Sequence, residues 1–468
     1  MLKAGFSSRC ITPPPGCDIP GLFERRIARG VHDDLFVRAV VIDDGTRCVA
    51  LVQTDAITAP EELVVAARKQ AAHWCGIRGK DCFIAATHTH SGGPVMGGFL
   101  SSPDPAYLAF VAEQIAAAIA EAHRSRRPAR AGTQAAPAEG VAFNRRFHMR
   151  NGGMLTHPGK MNPEIAGPAG PADPAVTVVG FCDPATFRPF GCIVNFACHA
   201  THMNGDLFSA DYVRWVVDTL QAVHGPDFGL VYLNGACGDV TQLDNQSPRP
   251  GELGPYWCER TGRVVGGGAL QALARIDYRV RCSVAPASTT VRAAIRRSTP
   301  AARKAARALL GRKAVTAADV ETIYARELLE VESMRRKSPD RPLEIAGVRI
   351  GDACFWGVPG EFFQAFALDV RAASPFPYTC CVELANGYDG YICTEESFGG
   401  GGYEIRTARS SFLAPDTGQR IVRAAKRLVG RMYTAAEKEL RGAMDRRVWP
   451  AFEDTSALDG INQLKGKR

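Results

Sequence analysis

Four of the ten histidines in this 468-residue chain fall in two short segments. The first, Thr87-His88-Thr89-His90-Ser91-Gly92, follows an apolar run that reads as a strand. Residues two apart on a strand share a face, so His88 and His90 are predicted side by side at a strand end. The second, Phe196-Ala197-Cys198-His199-Ala200-Thr201-His202, ends another apolar run and sets His199 among small residues. A hydrogen-bonded surface pair would explain either segment alone. Both together favour a metal site, because neutral imidazole is a common zinc ligand.

Three further segments carry polar groups at the ends of apolar runs. Asn234-Gly235-Ala236-Cys237-Gly238-Asp239-Val240-Thr241 reads as a strand entering a small-residue loop, where backbone could approach a ligand closely,. No Gly-Lys-Ser/Thr follows, so it is not a phosphate loop. Val358-Pro359-Gly360-Glu361 places a carboxylate where a strand stops and a helix is predicted to begin,. Asn386-Gly387-Tyr388-Asp389-Gly390-Tyr391 precedes four consecutive glycines and Tyr403-Glu404. Four glycines predict a mobile loop, a candidate lid.

The elements that must hold these groups alternate in type. Strands are predicted over 37–43, 47–54, 81–87, 176–181, 192–198, 229–233 and 378–384, with a hairpin over 345–350 and 353–358,. Helices are predicted from Pro105, over 210–223, 362–373 and 418–441, and from a capping box at Thr58-Ala59-Pro60-Glu61 to Cys75,. Residues 152–174, rich in Gly and Pro, read as a long loop. The expected fold class is α/β with α+β character, mixed β-sheets flanked by helices. No internal repeat is evident. Residues 1–445 read as one domain with a basic helical insertion at 298–342, and 446–468 as a tail.

Composition narrows the function classes. Hydrophobic residues are 46 % and charged residues 22 %, ordinary for a globular chain,. No uncharged apolar run reaches the ~18–20 residues of a membrane span. The first residues lack an apolar signal core, and the 15 cysteines contain no C-x-x-C, so a cytoplasmic protein with reduced, mostly buried cysteines is expected,. The formal net charge is +8. Residues 292–313 hold eight Lys and Arg and no acid, so the basic excess is local. That segment reads as a solvated helix face or as a docking surface for an anionic partner. Aromatics do not interleave with it, which argues against single-stranded nucleic acid.

Taken in chain order, Ile11-Thr12-Pro13, Gly30-Val31-His32, Thr54-Asp55, the two histidine segments, Ser209-Ala210-Asp211-Tyr212, 235–240, Pro359-Gly360-Glu361, 386–391 and Tyr403-Glu404 resemble the catalytic domain of the neutral, non-lysosomal ceramidases. The resemblance implies a zinc ion held by His88, His199, Glu361 and Tyr391. It also implies His90, Arg145 (after Asn144) and Tyr403 at the scissile amide. Such a site would cleave a C–N amide bond with metal-activated water. Two departures stand out. Thr241 occupies the place of the family's serine, and the family's immunoglobulin-like C-terminal domain has no counterpart here. The second departure points to a small or medium amide rather than to ceramide. Ester or lactone hydrolysis by the same groups, and a non-catalytic ligand-binding relative, are the alternatives.

Overall fold

Strands form where β-branched and aromatic residues run together, as in FVRAVVID (Phe36–Asp43) and AVTVVGFC (Ala175–Cys182),. The computed structural model describes residues 1–279 and 281–436. Within them, three mixed sheets follow one plan. Three strands run antiparallel, the third passes through a helix into a fourth strand parallel beside it, and a second helix packs back over the sheet. In the first unit these are Lys3–Cys10, Phe36–Asp43, Cys48–Thr54, helix Glu61–Cys75, Cys82–Ala86 and helix Pro105–Arg124. In the second they are Arg130–Pro137, Ala175–Cys182, Pro189–Phe196, helix Tyr212–His224, Gly229–Asn234 and helix Pro255–Ala274. In the third they are Val284–Ala294, Asp340–Ile350, Ala353–Gly357, helix Gln364–Ala372, Tyr378–Val382 and helix Thr417–Thr434.

This is a repeat that the sequence hides. The connection between the first two strands of each unit differs in length and content (11–35, 138–174 and 295–339), which destroys any fixed period. The inner faces meet in one core: Val40, Leu51 and Phe83 from the first sheet, Phe181, Ile193 and Leu233 from the second, Val348, Phe355 and Val382 from the third. The outer faces lie under the helices. Burial on both faces explains why these strands read as apolar runs rather than alternating patterns.

Ligands in such sheets sit beyond the carboxyl ends of parallel strands. Here the three parallel pairs send their carboxyl-end loops to one place. Those loops carry His88 and His90, His199 and Asp239, and Glu361 and Tyr391, while the three long connections supply walls around them.

Several local expectations need correction. The helix at Glu61 has Pro60 at its N-cap and no side-chain cap, so the capping box at Thr58 does not form. Residues 152–174 include the strands Met154–Thr156 and Ile165–Pro168, which pair with Arg146–Met149. The basic stretch is two helices, Pro300–Leu310 and Val320–Lys337, carried in the hairpin between Val284–Ala294 and Asp340–Ile350. Within it Arg292 pairs with Asp340 and Lys313 with Asp319, and Arg303 lies against Glu332. Arg297, Lys304, Arg307 and Arg312 are exposed. Ten of the fifteen cysteines are buried. No helix among the described residues is long and apolar enough to cross a membrane. The end of the predicted closing helix and the 446–468 tail lie outside the described residues.

Candidate active site

His88 and His90 do meet, but not by strand alternation. The strand ends at Ala86, and His88 has φ +68°, a left-handed conformation that costs about 1–3 kcal/mol for a non-glycine residue,. The turn is pinned by its surroundings. His88 N donates to Ala56 O at 3.0 Å, and Thr89 forms a parallel bridge with Ala200. His90 N donates to Ala200 O at 3.0 Å, which draws the first histidine segment onto the second.

The ring orientations follow from backbone acceptors. His88 Nδ1 lies 2.8 Å from Ile57 O, and His199 Nδ1 lies 2.7 Å from Cys237 O. A carbonyl only accepts, so both Nδ1 atoms carry the proton and both Nε2 atoms present lone pairs. Those two atoms each lie 3.3 Å from Glu361 Oε2. His90 Nε2 is 3.4 Å from His88 Nε2. All four residues are buried, and among the described residues His199 Nε2 and Glu361 Oε2 have no hydrogen-bond partner. Bare acceptors converging in a buried space repel one another unless a cation lies between them. The nitrogens of His88, His90 and His199 are close enough together to hold a metal ion.

The charge states of His199, His90 and Glu361 agree with that reading, whereas for His88 burial is outweighed by the facing Glu361, which raises it above its ordinary value. Burial, Arg145 and His88 together push His199 down to about 3. Burial, then His88 and His199, hold His90 well below the ordinary histidine range. Burial opposes ionisation of Glu361, but the facing His88 and His199 outweigh it and keep the carboxyl well below its usual value. Neutral imidazoles and an ionised carboxylate are the forms that bind a divalent metal.

Glu361 is not at a helix start. It pairs with Tyr391 in a short two-stranded ladder, Glu361–Phe362 beside Tyr391–Ile392, and the helix begins only at Gln364. That parallel register explains why the two side chains reach one pocket. The Gly238 loop approaches this ladder rather than a ligand, since a Cβ on Gly238 would stand 2.6 Å from Glu361 O. Three of the four glycines are packed: Gly399 and Gly400 close the helix Glu395–Gly400, a Cβ on Gly400 or Gly401 would meet Met154, and one on Gly402 would meet Arg146, while Gly399 faces open space.

Arg145, Tyr391 and Tyr403 form a second group. Arg145 Nη2 donates to Tyr391 OH at 3.1 Å and to Gly238 O at 2.7 Å. Its guanidinium carbon is 5.2 Å from the Tyr403 ring centre. Thr241 is buried next in register to Phe143, and its Oγ1 donates to Gln242 Oε1 at 2.7 Å. All eight residues expected at the site line one pocket of about 520 Å³. Its lining includes the apolar Leu22, Phe23, Met96 and Phe99 and the polar Asn204, Gln242 and Asn245.

Three contributors were missed from the sequence. Tyr388 OH donates to Glu361 Oε1 at 2.9 Å, and burial with the facing Glu361 pushes its pKa well up, so it stays a donor. Glu404 accepts from Arg145 and Arg146. Both residues stood in the quoted motifs, but nothing in their spacing assigned a partner. His157, at φ +50°, lies in the pocket with Nδ1 3.2 Å from Asn245 Oδ1. His157 is exposed, so its ring reaches both the pocket and solvent.

With the geometry in place, comparison with known proteins is informative. A solved neutral ceramidase from Pseudomonas aeruginosa superposes with a TM-score of 0.71 at 18% identity, covering 97% of this chain and 77% of that chain. The fold is that of the neutral ceramidases. A solved ceramidase complexed with C2 gives a TM-score of 0.70 at 18% identity over the same shares of the two chains. No protein-family model and no curated protein matches the chain. The ceramidase-like fold thus spans nearly the whole chain, from the first unit to the third.

Proposed function

We propose that this protein is a zinc-dependent hydrolase that cleaves the C–N bond of a small or N-acyl amide. The observation that carries the reading is the convergence of His88 Nε2, His199 Nε2 and Glu361 Oε2 on one buried point at the floor of a large pocket. Two imidazoles, one carboxylate and a neutral tyrosine suit zinc chemistry, with Tyr391 as the fourth donor. Burial and the nearby Glu361 keep Tyr391 protonated. The ceramidase-like fold supports an amide as the substrate bond.

Zinc, when bound, lowers the pKa of water and polarises a carbonyl. The chain's own groups do the rest. Arg145 and Tyr403 donate to the oxygen that gains charge as water adds to the amide carbon, a contribution of about 2.7–4 kcal/mol per donor. His90, neutral at rest, takes a proton from the attacking water and delivers it to the departing nitrogen as the C–N bond breaks. Thr241 orients water. Its hydroxyl donates to Gln242 Oε1, an amide oxygen that cannot serve as a base, so covalent attack by Thr241 lacks the partner it needs,.

Two measurements test these roles. His90→Ala is expected to keep its zinc and lose about 10²–10⁴ in kcat, since it removes a proton carrier and not a ligand. Loss of the metal from that variant would instead make His90 a ligand. Thr241→Ser is expected to be nearly neutral, and Thr241→Ala to keep measurable turnover on a panel of amides and esters. An acyl adduct on Thr241, seen by mass spectrometry, would overturn the water-activation reading.

A further inference from the structure

Glu383 lies at the carboxyl end of the strand Tyr378–Val382 and is fully buried. Every hydrogen bond it makes through its side chain is as an acceptor. Oε2 takes the backbone N–H of Cys237 at 2.8 Å and that of Phe362 at 3.1 Å. Oε1 takes Cys237 Sγ at 2.8 Å and Asn234 Nδ2 at 3.5 Å. Both backbone N–H groups converge on the single oxygen Oε2, which holds them as an acceptor,.

The two backbone donors belong to different units of the fold. Cys237 is in the loop after Gly229–Asn234, and its carbonyl is the group that fixes His199 Nδ1. Phe362 follows Glu361 directly. Gly238 N donates to Phe362 O at 3.0 Å, so the two loops touch, and the Glu383 carboxylate clamps them from behind.

We infer that Glu383 is a positioning residue that sets the spacing between His199 and Glu361, and with it the affinity of the metal site. This rests on the zinc reading above. Residues that orient ligands from behind typically contribute about 10–100-fold in metal affinity. No ionisable partner neutralises Glu383 through an ion pair among the described contacts, so its function here is the geometry of acceptance.

The test is zinc affinity of the full chain by competition with a chromophoric chelator, with thermal unfolding of the metal-free protein as the check on folding. Glu383→Ala is expected to weaken zinc binding about 10–100-fold. Glu383→Gln keeps one oxygen for both N–H groups and should restore most of that loss. Glu383→Asp, shorter by one methylene, reaches one loop but not both and should fall between them. Where the alanine variant does not fold, the aspartate variant decides. Wild-type affinity in a folded Glu383→Ala or Glu383→Asp overturns the positioning role alone, as does a glutamine variant no better than alanine. A wild-type protein with no zinc affinity overturns the metal reading together with it.

Discussion

His199→Ala is expected to remove most of the zinc and essentially all hydrolysis while the protein stays folded. His199 contributes one of three donor atoms that meet at a single point, with its Nε2 3.3 Å from Glu361 Oε2. Its loss leaves His88, Glu361 and the neutral oxygen of Tyr391, one strong donor short of the three that a catalytic zinc site uses. The fold has little stake in this ring. Phe196, Cys198 and Ala200 around it are packed in the core, whereas the imidazole faces the pocket. Metal analysis of purified wild type should give one zinc per chain, and His88→Ala with His199→Ala should give none. Stoichiometric zinc retained in the double variant would falsify the ligand assignment. Chelation should abolish turnover and added zinc restore it, and full turnover in metal-free protein would defeat the mechanism.

Glu404→Gln should damage both stability and activity. The Glu404 carboxylate is fully buried. It accepts from Arg145 Nε at 3.1 Å, Arg146 Nη1 at 2.5 Å and Thr156 Oγ1 at 2.6 Å. Both guanidinium groups are nearly inaccessible to solvent, so they depend on this one charge. Removing one member of a buried ionic group leaves uncompensated charge and costs about 3–5 kcal/mol. Arg145 also loses the contact that aims it at Tyr391 and the pocket, so kcat should fall along with the unfolding midpoint. Denaturant unfolding gives the stability loss, and a double-mutant cycle with Arg146→Met isolates the Arg146 share. A loss under about 1 kcal/mol would show that water or other groups already compensate both guanidiniums.

Of the candidate site, the two histidine segments are legible because their chemistry is local: His88 and His199 each follow an apolar run, and a strand end is where a fold can expose a side chain without opening its core. Glu361 and Tyr391 carry no such signal and enter through the family resemblance. What was misread is also local in cause. Glu361 was assigned to a helix start because a β-ladder of two residues leaves no periodic signal. The glycine quartet read as a free loop because glycine records what the backbone must avoid, here Arg146 and Met154, and not the neighbour itself. Glu404 and Glu383 were opaque for a different reason. A buried carboxylate is identified by its donors, and most of those lie more than one hundred residues away in the chain.

By itself the sequence determined most element types, the mixed α/β class and the two histidine segments, since these depend on hydrophobic runs, turn residues and side-chain chemistry over a few positions. Only the tertiary structure decided that three units share one plan, that their parallel strand pairs point at one floor, and that His88 takes a left-handed turn to reach His199. It also decided which carbonyl fixes each imidazole tautomer and which buried carboxylate holds two loops together. The physical reason is that such arrangements arise from contacts between segments far apart in the chain, formed when each sheet buries its inner face against the other two.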